Sequence, residues 1–289
     1  MIKPSFKVTR KSSTVLVVDH DFENGPFELQ LCFDAHWDHP KCKIRALEKH
    51  LAESVAKGRG IFLGGDTFCA MQAKRDRRHS KSDIREEHNK ADYFTELIYD
   101  AAEWWRPYAA NIVGIGYGNH ETAIIKHAEI DLLRMFDHEL GINRLGSYGG
   151  YIIVNGRYSG KLRDRYVIKY FHGSGGGGIV TKGAIGKQRR QVMYSNADAI
   201  LTGHVHESTN AEFVVERLNF KSGEIELRSV MHVQTSTYKE EYGKGEKGWH
   251  VERGAPPKPV GGKVLKLDLV RLKDPDRMRM MPQIERLWV

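Results

Sequence analysis

Phe27-Glu28-Leu29-Gln30-Leu31-Cys32-Phe33-Asp34-Ala35-His36 alternates as a strand does, then ends in a carboxylate and an imidazole two residues apart. A period of two marks a strand, and the polar ending marks the loop that follows it. The arrangement recurs along the chain. Ile61-Phe62-Leu63 runs into Gly64-Gly65-Asp66, and Ile112-Val113-Gly114-Ile115 precedes Gly118-Asn119-His120-Glu121. Tyr166-Val167-Ile168-Lys169-Tyr170-Phe171 leads to His172-Gly173, and Ala199-Ile200-Leu201 leads to Gly203-His204-Val205-His206. Short apolar, β-branched or aromatic runs bounded by glycine read as buried strands. Sites in open α/β sheets form beyond the carboxyl ends of strands, where loops are free to carry function. The pattern therefore predicts an α/β protein whose strand ends converge on one crevice.

The converging groups are Asp34, His36, Asp66, Asn119, His172, His204 and His206, with His120 as a spare histidine. Oxygen and imidazole ligands in that number suit two adjacent transition-metal ions that hold a hydroxide for attack on phosphorus. Each fragment alone says little. A lone His172 reads as a satisfied core histidine, and Asp-x-His or Gly-Asp is too short to mean anything. Order, spacing and strand-end placement together reverse that reading.

Asp-x-His, Gly-Asp, Gly-Asn-His-Glu, His and Gly-His-x-His, in this order from Phe27 to His206, resemble the calcineurin-like metallophosphoesterases. Gly65-Asp66-Thr67-Phe68-Cys69-Ala70-Met71-Gln72 with the basic stretch after it is also similar to bacteriophage-type members. The resemblance implies two packed mixed β-sheets flanked by helices, a four-layer αββα sandwich. It implies that Asp34, His36 and His206 hold one metal, that Asn119, His172 and His204 hold a second, and that Asp66 bridges them. His120 then protonates the leaving oxygen, a role suited to an imidazole near neutral pH. Glu121 reads as the start of the next helix, where a carboxylate meets the positive end of the dipole. Manganese is the expected metal, with iron, nickel and zinc as alternatives that this ligand set tolerates.

One position departs from the pattern. Many members carry an aspartate three residues after the Gly-Asp aspartate, where it orients the catalytic histidine; here Cys69 stands. A thiol is a weak acceptor. That leaves Asp76 as a substitute, or His120 unaided, while Cys69 packs as a small hydrophobe.

Length and composition agree with one enzyme domain spanning residues 1–289. A chain this long buries a full core, and no apolar run reaches the ~18 residues of a membrane span. Met1-Ile2-Lys3-Pro4-Ser5 lacks an apolar signal core. Cys32, Cys42 and Cys69 neither pair evenly nor form CxxC, which fits reduced thiols in a cytoplasm, the host's if the chain is phage-encoded.

Elsewhere the sequence predicts scaffold. Ile44, Leu47, Leu51 and Val55 share a helical face that ends at Gly58. A second helix is expected from Ala91 to Arg106, stopped by Pro107. A third follows Asn119, with Ile125, Ala128, Leu132, Phe136 and Leu140 in register and Gly141 at its end. A helix from Thr181 to Asn196 would bring Gln188, Arg189 and Arg190 near the site. Strands are expected at Ala211–Leu218, Glu224–Thr235, Lys263–Leu272 and Met278–Trp288, completing a second sheet. Gly114-Ile115-Gly116-Tyr117-Gly118 lacks dinucleotide spacing, and Gly173-Ser174-Gly175-Gly176-Gly177-Gly178 lacks a P-loop ending. The latter suits close backbone approach beside His172.

Basic residues number 45 against 37 acidic, a net +8 that favours polyanionic partners. Arg77 and Arg78, within Lys74–Lys81, directly follow a ligand loop and can reach a bound phosphate; a solvated surface loop is the equal alternative. Tyr238–Lys263, with Tyr242, Trp249 and His250, mixes aromatics and cations as base-stacking surfaces do, or forms a solvated loop. Protein phosphatases and dinucleoside-polyphosphate hydrolases of the family carry Gly-Asp-x-x-Asp-Arg-Gly and an Arg before Gly-Asn-His-Glu. Here Asp66-Thr67-Phe68-Cys69-Ala70 and Tyr117 stand instead. The expected activity is hydrolysis of a phosphodiester of DNA, RNA or a nucleotide. The alternatives are a phosphomonoesterase of small substrates and a metal-binding accessory protein without turnover. Nothing in the sequence points to a particular protein partner.

Overall fold

The computed structural model describes residues 4–70, 72, 83–175, 190–220, 222–243, 251, 254, 256–273 and 277–289. Arg77, Arg78, Asp76, Arg189, Trp249 and His250 lie outside the described residues. Twelve strands and four α-helices occur among the described residues: β1 (Phe6–Arg10), β2 (Val15–Asp21), β3 (Phe27–Cys32), α1 (Ile44–Ala56), β4 (Gly60–Leu63), α2 (Tyr93–Trp105), β5 (Ile112–Ile115), α3 (Asn119–Ala128), α4 (Leu132–Leu140), β6 (Gly149–Tyr158), β7 (Lys161–Phe171), β8 (Ala199–Thr202), β9 (Thr209–Leu218), β10 (Ile225–Gln234), β11 (Gly261–Arg271) and β12 (Met278–Trp288).

They form two mixed sheets, one of seven strands in the order β1-β2-β6-β7-β8-β10-β9 and one of five in the order β12-β11-β3-β4-β5. Strand β3 shows why the sheets pack face to face. Its odd positions Phe27, Leu29 and Leu31 point into a core shared with Leu16 and Val18 of β2, Ile152 and Val154 of β6, and Ile168 and Tyr170 of β7. Its even positions turn the other way, where Gln30 Oε1 accepts a hydrogen bond from Ser54 Oγ of α1 at 2.6 Å and Glu28 pairs with Arg59. Both faces are therefore covered, and Gln30 Oε1 and the Glu28 carboxylate pair within the protein.

Helices cover the outside. Leu47 and Leu51 of α1, Leu97, Ala101 and Trp105 of α2, and Leu133, Phe136 and Leu140 of α4 pack on Ile61, Leu63, Ile112 and Ile115 of the five-stranded sheet. On the far side, Val192, within helical residues 190–193, packs with Ile200 and Val230 of the seven-stranded sheet. The architecture is thus two packed mixed sheets flanked by helices, as the sequence predicts. Among the described residues no helix is long and apolar enough to cross a membrane.

Three expectations need correction. The C-terminal strands do not form one sheet: β10 pairs in parallel with β8, while β11 pairs antiparallel with β3. Their alternation marks them as strands but is silent on which sheet edge takes them. The third helix is two. Glu129 adopts a left-handed conformation (φ 59°), and Asp131 restarts the chain as N-cap, accepting from the Arg134 N–H at 3.1 Å. The Tyr117 hydroxyl holds the same carboxylate at 2.8 Å. The break rotates the register, so Ile124 is buried and Ile125 is exposed. The short helical segment ends at residue 193, not 196.

Buried histidines make the fold acid-sensitive. His232 on β10 is 2% exposed, and its Nδ1 has no hydrogen-bond partner among the described residues. Burial, then the nearby Lys263 ammonium, lowers it from its ordinary 6.5 to about 4. The unfolded chain then binds more protons between these values, so stability is full above 6.5 and falls as pH drops toward 4. Denaturant titrations should show about 2–3 kcal/mol of this loss between pH 7.5 and 4.5. His232→Leu should make that slope shallower.

Candidate metal centre

Five strands end at one edge of the two sheets and each hands a loop to the same place. Asp34 and His36 follow β3, Asp66 follows β4, and Asn119 and His120 follow β5; His172 follows β7, and His204 and His206 follow β8. The site therefore spans both sheets rather than the crest of one. Backbone bonds lock the loops together. The amides of Asp34 and His36 donate to the carbonyls of Gly65 and Asp66, both at 3.0 Å, and Gly203 N–H donates to His172 O at 2.8 Å.

Five of the expected ligands sit in the left-handed region: Asp34 (φ 50°), His36 (45°), Asp66 (49°), His204 (72°) and His206 (58°). That region disfavours side chains with a Cβ, and such strain collects where a site dictates the direction of a side chain. Two glycines make the crowding possible. A Cβ at Gly118 would lie 2.0 Å from Asp66 Oδ1, and one at Gly173 (φ 129°) would lie 2.6 Å from His204 Cβ. The close backbone approach expected beside His172 is thus seen at Gly173.

All seven expected ligands and His120 come together. Asp34, His36 and His206 form one group and Asp66, His172 and His204 another, with one ligand atom from each residue within 4.8 Å of the others in its group. Asp34 Oδ1 lies 3.4 Å from His206 Nε2, and Asp66 Oδ2 lies 3.2 Å from His172 Nε2. Asn119 Oδ1 lies 2.7 Å from His204 Nδ1 and 3.3 Å from His172 Nε2. His172 Nδ1 donates to the Gly64 carbonyl at 3.1 Å, which turns Nε2 to the centre.

The donor set fits metal. Asp34 Oδ1 and both ring nitrogens of His36 are buried with no hydrogen-bond partner among the described residues. Buried polar atoms are ordinarily satisfied, and a cation satisfies this set. Burial, then His120 and Lys239, holds His36 well below the ordinary histidine range, so its ring is the neutral form that coordinates. Burial also opposes ionisation of Asp66, but His172 and His120 outweigh it and hold the carboxyl well below its ordinary range. On His172 burial opposes charge as well, yet Asp66, Asp34 and Glu121 raise it to about 10.

Two buried carboxylates hold the ligand loops, one read from the sequence only as a helix start and one missed by it. Glu121 does start α3, and its carboxylate accepts the Gly118 N–H at 2.9 Å. It also accepts from Asp66 N at 3.1 Å and Phe68 N at 3.0 Å, which ties the β4 loop to the β5 loop. Asp38 accepts from Cys69 N at 2.5 Å, Ala70 N at 2.8 Å and the Tyr93 hydroxyl at 3.1 Å. Its only sequence signal is a place two residues beyond Asp-x-His.

His120 is not unaided. Its Nδ1 donates to the backbone carbonyl of Cys69 at 2.8 Å. A carbonyl only accepts, so this bond assigns the Nδ1 proton and sets Nε2 3.8 Å from Asp66 Oδ2. In the expected substrate segment Tyr238–Lys263, the two end residues make contacts within the protein. The Tyr238 hydroxyl meets His50 Nδ1 at 2.9 Å in the core, and Lys263 Nζ donates to Asn210 Oδ1 at 2.6 Å. Arg190 lies over the Tyr194 ring at 5.9 Å.

No family model and no curated protein matches the chain. Solved structures do. They include a conserved Streptococcus pneumoniae TIGR4 protein described as a predicted phosphoesterase, at 11% identity and TM-score 0.36. A single mutant of Vps29 from Entamoeba histolytica is similar at 12% and 0.40, and a Thermotoga maritima protein solved by NMR at 12% and 0.34. Each match covers 90% of this chain and 99% of the other. The site is read from its own distances.

Removing the Glu121 carboxylate leaves three buried N–H groups without their acceptor. Glu121→Ala should cost about 3 kcal/mol or more in a denaturant titration, roughly 1 kcal/mol per orphaned donor. Gly118→Ala should push Asp66 off its position and weaken metal uptake by about 10–100-fold in calorimetric titration, as loss of ligand positioning does.

Proposed function

We propose that the protein is a calcineurin-like metallophosphoesterase that hydrolyses phosphodiesters of nucleic acid or nucleotides with two divalent ions, manganese foremost. The observation that supports this best is the pair of ligand groups, Asp34–His36–His206 and Asp66–His172–His204, with Asn119 against both His172 and His204 and His120 beside them. Two divalent ions in such a set activate water and neutralise the charge that builds on a phosphoryl group.

The chain's own residues supply position and a proton. Asp66 Oδ1 accepts the His120 N–H at 2.9 Å while Oδ2 faces His172, so one carboxylate sets both the second ligand group and the start of α3. Through the bond to Cys69 O, the His120 ring is held with Nε2 available to pass a proton to the leaving oxygen. Net charge +8 supports a polyanionic substrate. Cys69 and Tyr117, where the protein-phosphatase pattern has Asp and Arg, support a substrate other than a phosphoprotein. Free thiols at Cys32, Cys42 and Cys69 support a reducing compartment such as cytoplasm.

The test is hydrolysis of bis(p-nitrophenyl) phosphate beside p-nitrophenyl phosphate with manganese. Diester turnover is expected, lost in Asn119→Ala and lowered about 10²–10⁴-fold in His120→Ala with metal retained. Preference for the monoester would reassign the protein to small-substrate phosphatases. No turnover of either ester, with metal bound, would favour an accessory role.

A further inference from the structure

Two turns beyond His120, helix α3 reaches a pocket that none of the metal-ligand groups lines. Its volume is about 710 Å³, and its wall includes Gln72, Asp92, Tyr93, Phe94, Thr95 and His127. We propose that this pocket holds the nucleobase of the departing nucleoside, on the side of the scissile phosphate where His120 gives its proton. The inference rests on the proposed function and names the part of the substrate that the pocket takes.

Position comes first. His127 stands seven residues after His120, so both lie on one side of α3, about 10 Å apart along its axis. The loop after β4 leads to the same place. His120 Nδ1 donates to Cys69 O, and the N–H of Gln72, three residues on, donates to Ala70 O at 2.8 Å. Tyr93 joins from α2, where its hydroxyl shares Asp38 with the amides of Cys69 and Ala70. Two walls of the pocket are therefore bonded to the turn that holds the His120 ring. A nucleoside whose oxygen departs beside His120 is long enough to set its base between them.

The lining then selects the occupant. The Tyr93 and Phe94 rings meet at 5.1 Å between centroids, and both are half-buried, so each keeps part of its surface for a ligand. An aromatic surface stacks on any base. Thr95 and His127 add donors and acceptors for a base edge. Asp92 is exposed at the start of α2, and its carboxylate makes no capping bond to the helix. No lysine or arginine occurs among the described lining residues. A phosphate placed here meets a carboxylate and no counter-cation, and like charges brought together are costly. An uncharged base avoids that cost. The volume is also that of small-molecule sites, about 300–1,000 Å³.

The reaction gives the pocket its direction. Water oxygen joins phosphorus and loses a proton to solvent, the P–O bond to the nucleoside breaks, and the His120 proton goes to the departing sugar oxygen; nothing is oxidised or reduced. Whichever substituent reaches the pocket is the one beside His120, and so the one that leaves.

The test uses substrates with two possible leaving groups, the 3′- and 5′-methyl phosphates of 2′-deoxyadenosine, with full-length protein and manganese. Loss of the nucleoside yields methyl phosphate, and loss of methanol yields a deoxyadenosine phosphate. In at least one ester, methyl phosphate should exceed the nucleotide product about tenfold or more, the low end of what one stacked base supplies. Thr95→Trp and Ala128→Trp fill the pocket from α2 and α3, and each should bring that ratio close to one. The ratio is internal to each protein, so partial loss of folded material does not move it. Equal products from both esters in the wild type, or preferred loss of methanol, would overturn the proposal. A preference that survives both substitutions would overturn its place in the fold. If neither ester is cleaved, saturation-transfer NMR of deoxyadenosine with magnesium present decides. Binding lost in both filled variants would keep a nucleoside pocket and defeat the phosphoesterase reading, whereas no binding in the wild type would overturn the pocket itself.

Discussion

A fully buried carboxylate with three N–H donors, Glu121, is the constraint on which the centre depends. Three of the loops leave strands of the same sheet, and nothing in sheet pairing alone dictates how their tips meet. Glu121 closes that gap by drawing the amides of Gly118, Asp66 and Phe68 onto its two oxygens. Burial, then the Asp66 carboxylate, raises the Glu121 carboxyl to about 8, and losing its bonds is costly because the donors stay buried. The left-handed backbone at Asp66 is held by this grip. Asp38 does the same for the next turn, so the loop from Asp66 to Ala70 is pinned at four amides before any ion arrives.

The second sheet makes the pocket a cage. His172, His204 and His206 come from β7 and β8, across the shared core of Phe27, Leu31, Ile168 and Tyr170. Their position relative to Asp34 and Asp66 is therefore as fixed as that core, and close-packed interiors change register only at substantial cost. Gly203 N–H on His172 O, and His204 N–H on Asp34 Oδ2 at 2.8 Å, carry this rigidity across the seam. An arrangement with so little freedom is pre-organised for cations: most of the ordering has been done by folding.

What was legible in the sequence follows from range. Strand ends, the seven converging side chains, His120 and the bounds of α1 and β12 are written in local patterns of a few residues. Sheet membership is not, because β9–β12 alternate alike and the choice between β8 and β3 as a neighbour depends on contacts far along the chain. The split between α3 and α4 was hidden because a heptad-like stripe continues across it; Asp131, a good N-cap, and Glu129 were its only marks. Asp38 and the wider work of Glu121 escaped for a related reason. A carboxylate that accepts backbone amides leaves no partner side chain in the sequence to pair it with.

Cys69 shows how these constraints combine. The resemblance led to an expected weakness there, since a thiol cannot orient an imidazolium as a carboxylate does. The structure moves that duty to the backbone: the Cys69 carbonyl holds His120 Nδ1, while Asp38 fixes the Cys69 amide. Orientation by a main-chain carbonyl does not depend on the side chain at that position, provided the loop keeps its shape. The side chain is thereby released from holding the His120 ring, and its buried sulfur stands beside two imidazoles.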